Sequence, residues 1–301
     1  MSRLVSIYKG TTGIDNKVDP VRLEYDPERG VKELAAGVNV DVDRTGRISR
    51  RKGYTLKLEK DCHSLFPCIG YALFVSGDAL CVLEPSYAWS AIRNVTVGAR
   101  MRYVRAGRDT YYLNEHERGI VRDRVSYAWN AGDYVGPDTT KAFSDPPIGH
   151  LIELYNGRML IGKDDVLWYS EPFAWAWFDF ARNFVSFHER LTMVKAVKGG
   201  VFVSTESEIY FLGGENIREA SLTKMADYPA IEGTEVTVDA SKLGDGSIKG
   251  LSAMWATPKG ICFGGPNGAF ENLTARRLVY PTARYGAGLH RDGKYVCLLQ
   301  P

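Results

Sequence analysis

Ala36-Gly-Val-Asn-Val-Asp-Val-Asp-Arg-Thr-Gly-Arg-Ile-Ser-Arg-Arg-Lys-Gly-Tyr54 is the stretch on which the reading of the fold turns. Apolar and polar residues alternate through Val38, Val40 and Val42; the chain turns at Arg44-Thr45-Gly46 and leaves on a second strand through Ile48. Period-two alternation on both sides of a glycine-containing turn predicts a hairpin with one buried face. A lone hairpin is marginal in water, so further strands must lie against it.

The chain supplies them as a recurring unit of apolar strand, glycine turn and apolar strand. It occurs at Tyr71–Leu83, Met101–Leu113, Leu151–Ile161, Met193–Val203, Ala253–Phe263 and Gly288–Leu299, with turn glycines Gly77, Gly107, Gly157, Gly199, Gly260 and Gly293. Asn156-Gly157 is the strongest short hairpin signal among them. Several copies are followed by a third short strand: Glu117–Val121, Val166–Ser170 and Glu208–Leu212. Self-similar units about 30 to 60 residues apart predict an all-β fold, a β-propeller of about six small antiparallel blades. A sandwich also has short strands and regular turns, but the third strand favours blades. The last unit lacks an outer strand, so the N-terminal strands are expected to pair with the C-terminal blade, closing the ring and removing two exposed edges. Residues 1–35, broken by Gly10, Gly13, Pro20, Pro27 and Gly30, read as an extended arm. Residues 36–301 read as one domain, with rim loops at 131–149 and 213–250.

Composition bounds the function. Of 301 residues 45% are hydrophobic and 25% charged, ordinary for a globular chain able to fill a core. The 38 basic and 36 acidic residues leave a net charge of +2, too balanced for counterion-driven nucleic-acid binding. The local exception is Arg50-Arg51-Lys52, a candidate partner or channel surface. Five cysteines, odd in number and without paired C-x-x-C spacing, argue for folding in a reducing compartment and against a disulfide framework or a zinc site. No secretory h-region and no run of membrane-spanning length is present, so membrane insertion is not expected.

Imitations of chemical motifs have simpler explanations. Asp41-x-Asp43-x-Thr45-Gly46-x-Ile48 follows the first half of a calcium loop, but Lys52 stands where a bidentate Glu should close the shell. Gly288-Leu-His-Arg-Asp-Gly293-Lys294-Tyr295 lacks the Ser or Thr of a phosphate loop and reads as a hairpin turn. His63, His116, His150, His188 and His290 show no metal-ligand spacing, and no G-x-S-x-G elbow occurs. No catalytic residue, metal or cofactor is expected. The aromatic run Trp168-Tyr169, Phe173, Trp175, Trp177, Phe178, Phe180, Phe184 and Phe187 fits inter-blade core, with sugar stacking or partner anchoring through Trp175 and Trp177 as the competing reading.

Two groups of residues carry a family likeness. One is Gly13-Ile-Asp-Asn16 with Asn39-Val-Asp-Val-Asp43, Gly46 and Arg50-Arg51-x-Gly53-Tyr54; the other is Asn156-Gly-Arg-Met-Leu160, Leu167-Trp-Tyr-Ser-Glu-Pro172, Gly200–Glu206 and Tyr210–Gly214. In these the chain resembles the propeller tail and neck proteins of short-tailed bacteriophages, the nozzle, tail tubular and stabilisation proteins. The resemblance implies a non-enzymatic virion component, folded in the host cytoplasm, that forms a homo-oligomeric ring of six copies around the DNA channel. It implies contacts with a portal-side adaptor and with tail fibre or needle proteins, and passage of DNA without sequence-specific binding. The alternative function is a propeller lectin or glycosidase acting on host-surface glycans. A peptide-binding scaffold is a third reading, weakened by missing kelch and WD signatures.

Overall fold

The structure is a computed structural model that describes residues 10–23, 25–26, 31–43, 45–133, 142–242, 249–291 and 293–300. The chain is a succession of antiparallel meanders. Two small hairpins come first, β1 (Tyr25–Asp26) with β2 (Val31–Lys32), and β3 (Val40–Val42) with β4 (Ile48–Arg50). Five four-stranded sheets follow. The first holds β5 (His63–Pro67), β6 (Ala72–Ser76), β7 (Ala79–Leu83) and β8 (Trp89–Asn94); the second holds β9 (Arg102–Ala106), β10 (Asp109–Leu113), β11 (Arg118–Arg122) and β12 (Val125–Tyr127). The third holds β13 (Leu151–Tyr155), β14 (Arg158–Lys163), β15 (Val166–Tyr169) and β16 (Phe184–Ser186). In the fourth are β17 (Leu191–Val197), β18 (Gly200–Thr205), β19 (Ile209–Gly213) and β20 (Ser221–Ala226), and in the fifth β21 (Val236–Asp239), β22 (Leu251–Thr257), β23 (Gly260–Gly264) and β24 (Phe270–Asn272). A last hairpin joins β25 (Tyr285–Arg291) to β26 (Lys294–Gln300).

All six turn glycines adopt positive φ, from 59° at Gly77 to 137° at Gly260. At Gly199 the requirement is double: φ is 83°, and a Cβ would collide with the Asn267 side chain. The repeat is nevertheless out of phase. Gly107, Gly157 and Gly199 join the first and second strands of their sheets, whereas Gly77 and Gly260 join the second and third. The inner strands β5 and β21, short and partly polar, precede those two units.

Strand alternation explains why the sheets follow one another. On β14, Met159 and Ile161 enter the core shared with the second sheet, while Leu160 between them enters the core shared with the fourth. On β18, Val201 and Val203 face the third sheet and Phe202 the fifth. The second to fifth sheets therefore bury both faces, and β10 and β18 are buried along their whole length. Trp255 and Phe202 meet at a tilt, ring centres 5.3 Å apart, between the fourth and fifth sheets, and Tyr112 lies between the first and second. Residues of the first strands β5, β9, β13 and β17, with the lead into β21 and both strands of the last hairpin, line a common cavity of about 700 Å³.

Three expectations change. The hairpin at 36–54 forms, with Val40 opposite Arg50 and Val42 opposite Ile48, but its apolar face is not deeply buried: Val38 is 86% exposed. Nor does it add a ladder to the C-terminal sheet. Among the described residues β3 pairs with β4 and β25 with β26, and the two hairpins meet through the Asp41–Lys294 ion pair at 3.1 Å. The span 213–250 is no rim loop, because it contains β20 and β21; four residues of β20 are exposed, so its sequence reads as polar. Of the other expected rim loop, 131–149, residues 134–141 lie outside the described residues, and Ser144 makes one bridge to Phe178.

His150 joins the third sheet to the fourth. Its Nε2–H donates to the Leu191 carbonyl at 2.7 Å, and Nδ1 accepts from Arg190 Nη1 at 3.3 Å, an arrangement that needs a neutral ring. Burial pushes its pKa below the ordinary 6.5, outweighing the Leu191 carbonyl. The unfolded chain thus takes up a proton near pH 6.5 that the folded chain refuses until lower pH, so stability falls as pH drops from there through the folded value. Thermal unfolding followed from about pH 8 to about pH 5 is expected to show this loss, and His150→Gln to flatten part of it. Parallel profiles for the two proteins would exclude His150 as a contributor.

Candidate functional site

Two features stand apart from sheet packing: the charged wall of the central cavity, and the clamp where the N-terminal arm grips the C-terminal segment.

Around the cavity, Arg102 at the start of β9 reaches across to the lead into the fifth sheet. Its two guanidinium nitrogens meet Glu232 at 2.8 Å and Glu235 at 3.1 Å. Burial alone would push the Arg102 guanidinium down, but the Glu235 and Glu232 carboxylates override it and hold it up. Lys195 on β17 pairs with Glu153 on the neighbouring β13 at 2.7 Å. Arg100 donates to the Gly286 carbonyl and to Gln300 Oε1, and its guanidinium lies 4.6 Å from the Tyr285 ring centre. The second sheet is thereby tied to the lead into the fifth and to the last hairpin, both remote from it in sequence. Beside them His63 is held below its usual range by burial and by Arg100. The carboxylates of this wall are engaged in ion pairs between sheets. What the wall does chemically is hold sheets together.

The clamp is built from Gly13-Ile14-Asp15-Asn16. Asp15 is buried, and its Oδ1 accepts from the backbone N–H of Lys17 and Val18 at 3.0 and 3.2 Å, which turns the chain. That turn presents Asn16 to the segment beyond the fifth sheet. Asn16 Nδ2 donates to the Val279 carbonyl at 3.1 Å, while Oδ1 accepts from the Val279 N–H at 2.7 Å, a side chain standing in for one rung of a ladder. Its backbone N–H donates to the Arg277 carbonyl at 2.9 Å, and Lys17 Nζ donates to the Ala275 carbonyl. Arg277 answers by donating to the Thr12 carbonyl and pairing with Glu33 at 3.3 Å.

The residues singled out in the sequence divide between these features. Arg50, Arg51 and Lys52 are all exposed on and after β4; Arg51 pairs with Asp41 at 3.3 Å and also donates its N–H to the Asn39 carbonyl. Asp43 caps its own turn, accepting from Thr45 Oγ1 and from the N–H groups of Thr45 and Arg47, and these bonds hold its pKa down, the Thr45 hydroxyl foremost. The oxygens of the calcium-like motif are thus taken up by Thr45, Arg47, Arg51 and Lys294. Trp175 and Trp177 sit in an irregular stretch flanked by the isolated bridges Glu171–Ala174 and Ser144–Phe178. Trp175 Nε1 donates to the Gly157 carbonyl and its ring meets Tyr111 edge-on at 5.7 Å; Trp177 Nε1 donates to the Ala131 carbonyl and its ring stacks on Phe143 at 5.3 Å. Both rings belong to the packing around the second and third sheets. Among the described residues no group of three or more His, Cys, Asp or Glu side chains is arranged to hold a metal, and all five cysteines are free thiols. Neither Arg102 nor its two glutamates carried a sequence signal, because they are 130 or more positions apart.

No family profile matches the sequence, and no curated protein matches it. Solved structures do. Two crystal structures of BBS1N in complex with ARL6DN, soaked with mercury and with lead, match at TM-scores of 0.51 and 0.53 and 10% and 9% identity. The match spans 87% of this chain and 86% and 83% of those chains. The fold resembles a β-propeller. At such low identity the likeness concerns the fold alone.

The propeller wall yields a stability test. Arg102→Met is expected to cost about 3–5 kcal/mol in urea unfolding, since it strands two glutamates in a confined site. Arg50→Ser, on the exposed hairpin, should change stability by less than about 0.5 kcal/mol. Equal effects would show that the cavity pairs bear no special load.

Proposed function

We propose that this chain is a non-enzymatic structural component of a short-tailed bacteriophage tail or neck, a propeller that assembles as a ring around the DNA channel. Six sheets stand about its axis in this reading, the C-terminal hairpin being the sixth and the N-terminal hairpin its complement at the clamp. The observation that carries the proposal is that the first group of phage-like residues does mechanical work. Asn16, held in place by the Asp15 turn, and Asp41 are among the residues that bind the two ends of the chain to each other. The same region carries surface suited to neighbours: Val38, Tyr54 and Leu56 are 86%, 91% and 74% exposed. Exposed apolar side chains gathered on an arm mark contact surfaces.

The ring would hold six copies in the virion after folding in the host cytoplasm, meeting a portal-side adaptor on one side and fibre or needle proteins on the other. Arg50, Arg51 and Lys52, exposed on the outer hairpin, face a subunit or channel surface in this reading. DNA would pass without sequence-specific contact, in keeping with a net charge of +2 per chain. Against the glycan alternative, the rings of Trp175 and Trp177 pack on Tyr111 and Phe143 and their indole N–H groups are bound to backbone carbonyls.

Quantitative mass spectrometry of gradient-purified particles is expected to find the chain at about six copies per virion, the count of a closed heterologous ring. Particles that contain the other tail proteins and lack this one would refute the proposal.

A further inference from the structure

The arm's bonds to the body traced above all land between Ala275 and Lys294, beyond the fifth sheet. They include two ion pairs of one polarity, with acids Glu33 and Asp41 on the arm and bases Arg277 and Lys294 on the body. What joins the arm to the first sheet is the stretch between Arg50 and His63, which holds no strand. Twelve residues of extended chain reach about 40 Å.

That connecting stretch is not an ordinary polar linker. Tyr54, Leu56 and Leu58 alternate with Thr55, Lys57 and Glu59, the pattern of a half-buried strand, yet Tyr54 and Leu56 are 91% and 74% exposed. A matching unsatisfied surface lies elsewhere on the same chain. In the β25–β26 hairpin Ala287 stands opposite Leu298 and Leu289 opposite Val296, so these four side chains share one face. Leu289, Val296 and Leu298 are 57%, 43% and 75% exposed, while the opposite face is turned to the fifth sheet, with Tyr295 donating to the Thr234 carbonyl. The sheet has two strands where its five predecessors have four. The arm, seated on Ala275–Val279 and on Lys294, leaves that face open.

We propose that the arm is exchanged between copies: the clamp residues and β3–β4 of one chain grip the C-terminal segment of the next, and its Tyr54–Leu58 stretch covers the open face of β25–β26. The inference rests on the ring reading and names the contact that would build it. Both halves of the contact lie on one chain at different places, which makes the association head-to-tail. Exchange re-forms Asp41–Lys294 and Asn16–Val279 unchanged between chains. The new burial comes from the connecting stretch on the open face, which a chain folded upon itself leaves in water.

Two single variants, Asp41→Cys and Lys294→Cys, each also carrying Cys62→Ser and Cys297→Ser, would be co-expressed with different affinity tags and treated with a short bismaleimide. Exchange predicts a covalent two-chain product bearing both tags. A second pair, Leu56→Cys with Leu298→Cys, gives the same readout should Asp41→Cys unfold the hairpin. Cross-linking only within a doubly substituted chain, with both single-variant pairs unlinked, overturns exchange. Light scattering on the same samples separates the two ideas. An oligomer without a mixed-tag product defeats exchange and leaves the ring standing, whereas a monomer at every concentration defeats both.

Discussion

A sheet with two apolar faces cannot stand at the end of a stack. The second to fifth four-stranded sheets are of that kind: alternate residues of β14 or β18 enter different cores, so each of these sheets is stable only with a neighbour on either side. A line of such sheets leaves one bare face at each end, and bending the line around an axis brings those faces together. The first strands then converge on the central cavity, where polar groups must be satisfied, and the ion pairs of Arg102 and Lys195 satisfy them. Packing of this sort is strong within the run of five sheets. It is weakest at the seam, where a two-stranded sheet follows the fifth.

At that seam the architecture shifts from ladders to side chains. Asn16 completes a rung with Val279, and Asp41 reaches Lys294, so the ends are joined by a few directional bonds and little apolar burial. Apolar surface is left partly exposed there, while the interior ion pairs tie the sheets of the cavity wall together.

Much of this was legible in the sequence, unevenly. The turn glycines stood out because each needs a backbone conformation that other residues avoid, and all six occupy it. Their phase was not legible. β5, His63-Ser-Leu-Phe-Pro67, carries too little apolar character to announce itself, and β20 is polar because it is an exposed outer strand. The hairpin at 36–54 followed from period-two alternation, yet alternation states which residues share a face and not what covers it. Trp175 and Trp177 were visible as a cluster, but only coordinates reveal that carbonyls of Gly157 and Ala131 occupy their N–H groups. The Arg102 contacts were beyond reach, because nothing local in a chain marks partners 130 or more positions apart.

The central claim is that the N-terminal arm, through Asn16 and Asp41, holds the C-terminal hairpin and the segment before it in place. Amide hydrogen exchange, read by mass spectrometry on the full chain and on one lacking residues 1–50, tests it most directly. The account predicts that peptides covering 285–300 lose protection when the arm is removed, while the second, third and fourth sheets keep theirs. Unchanged protection across 285–300 in the shortened chain would contradict it.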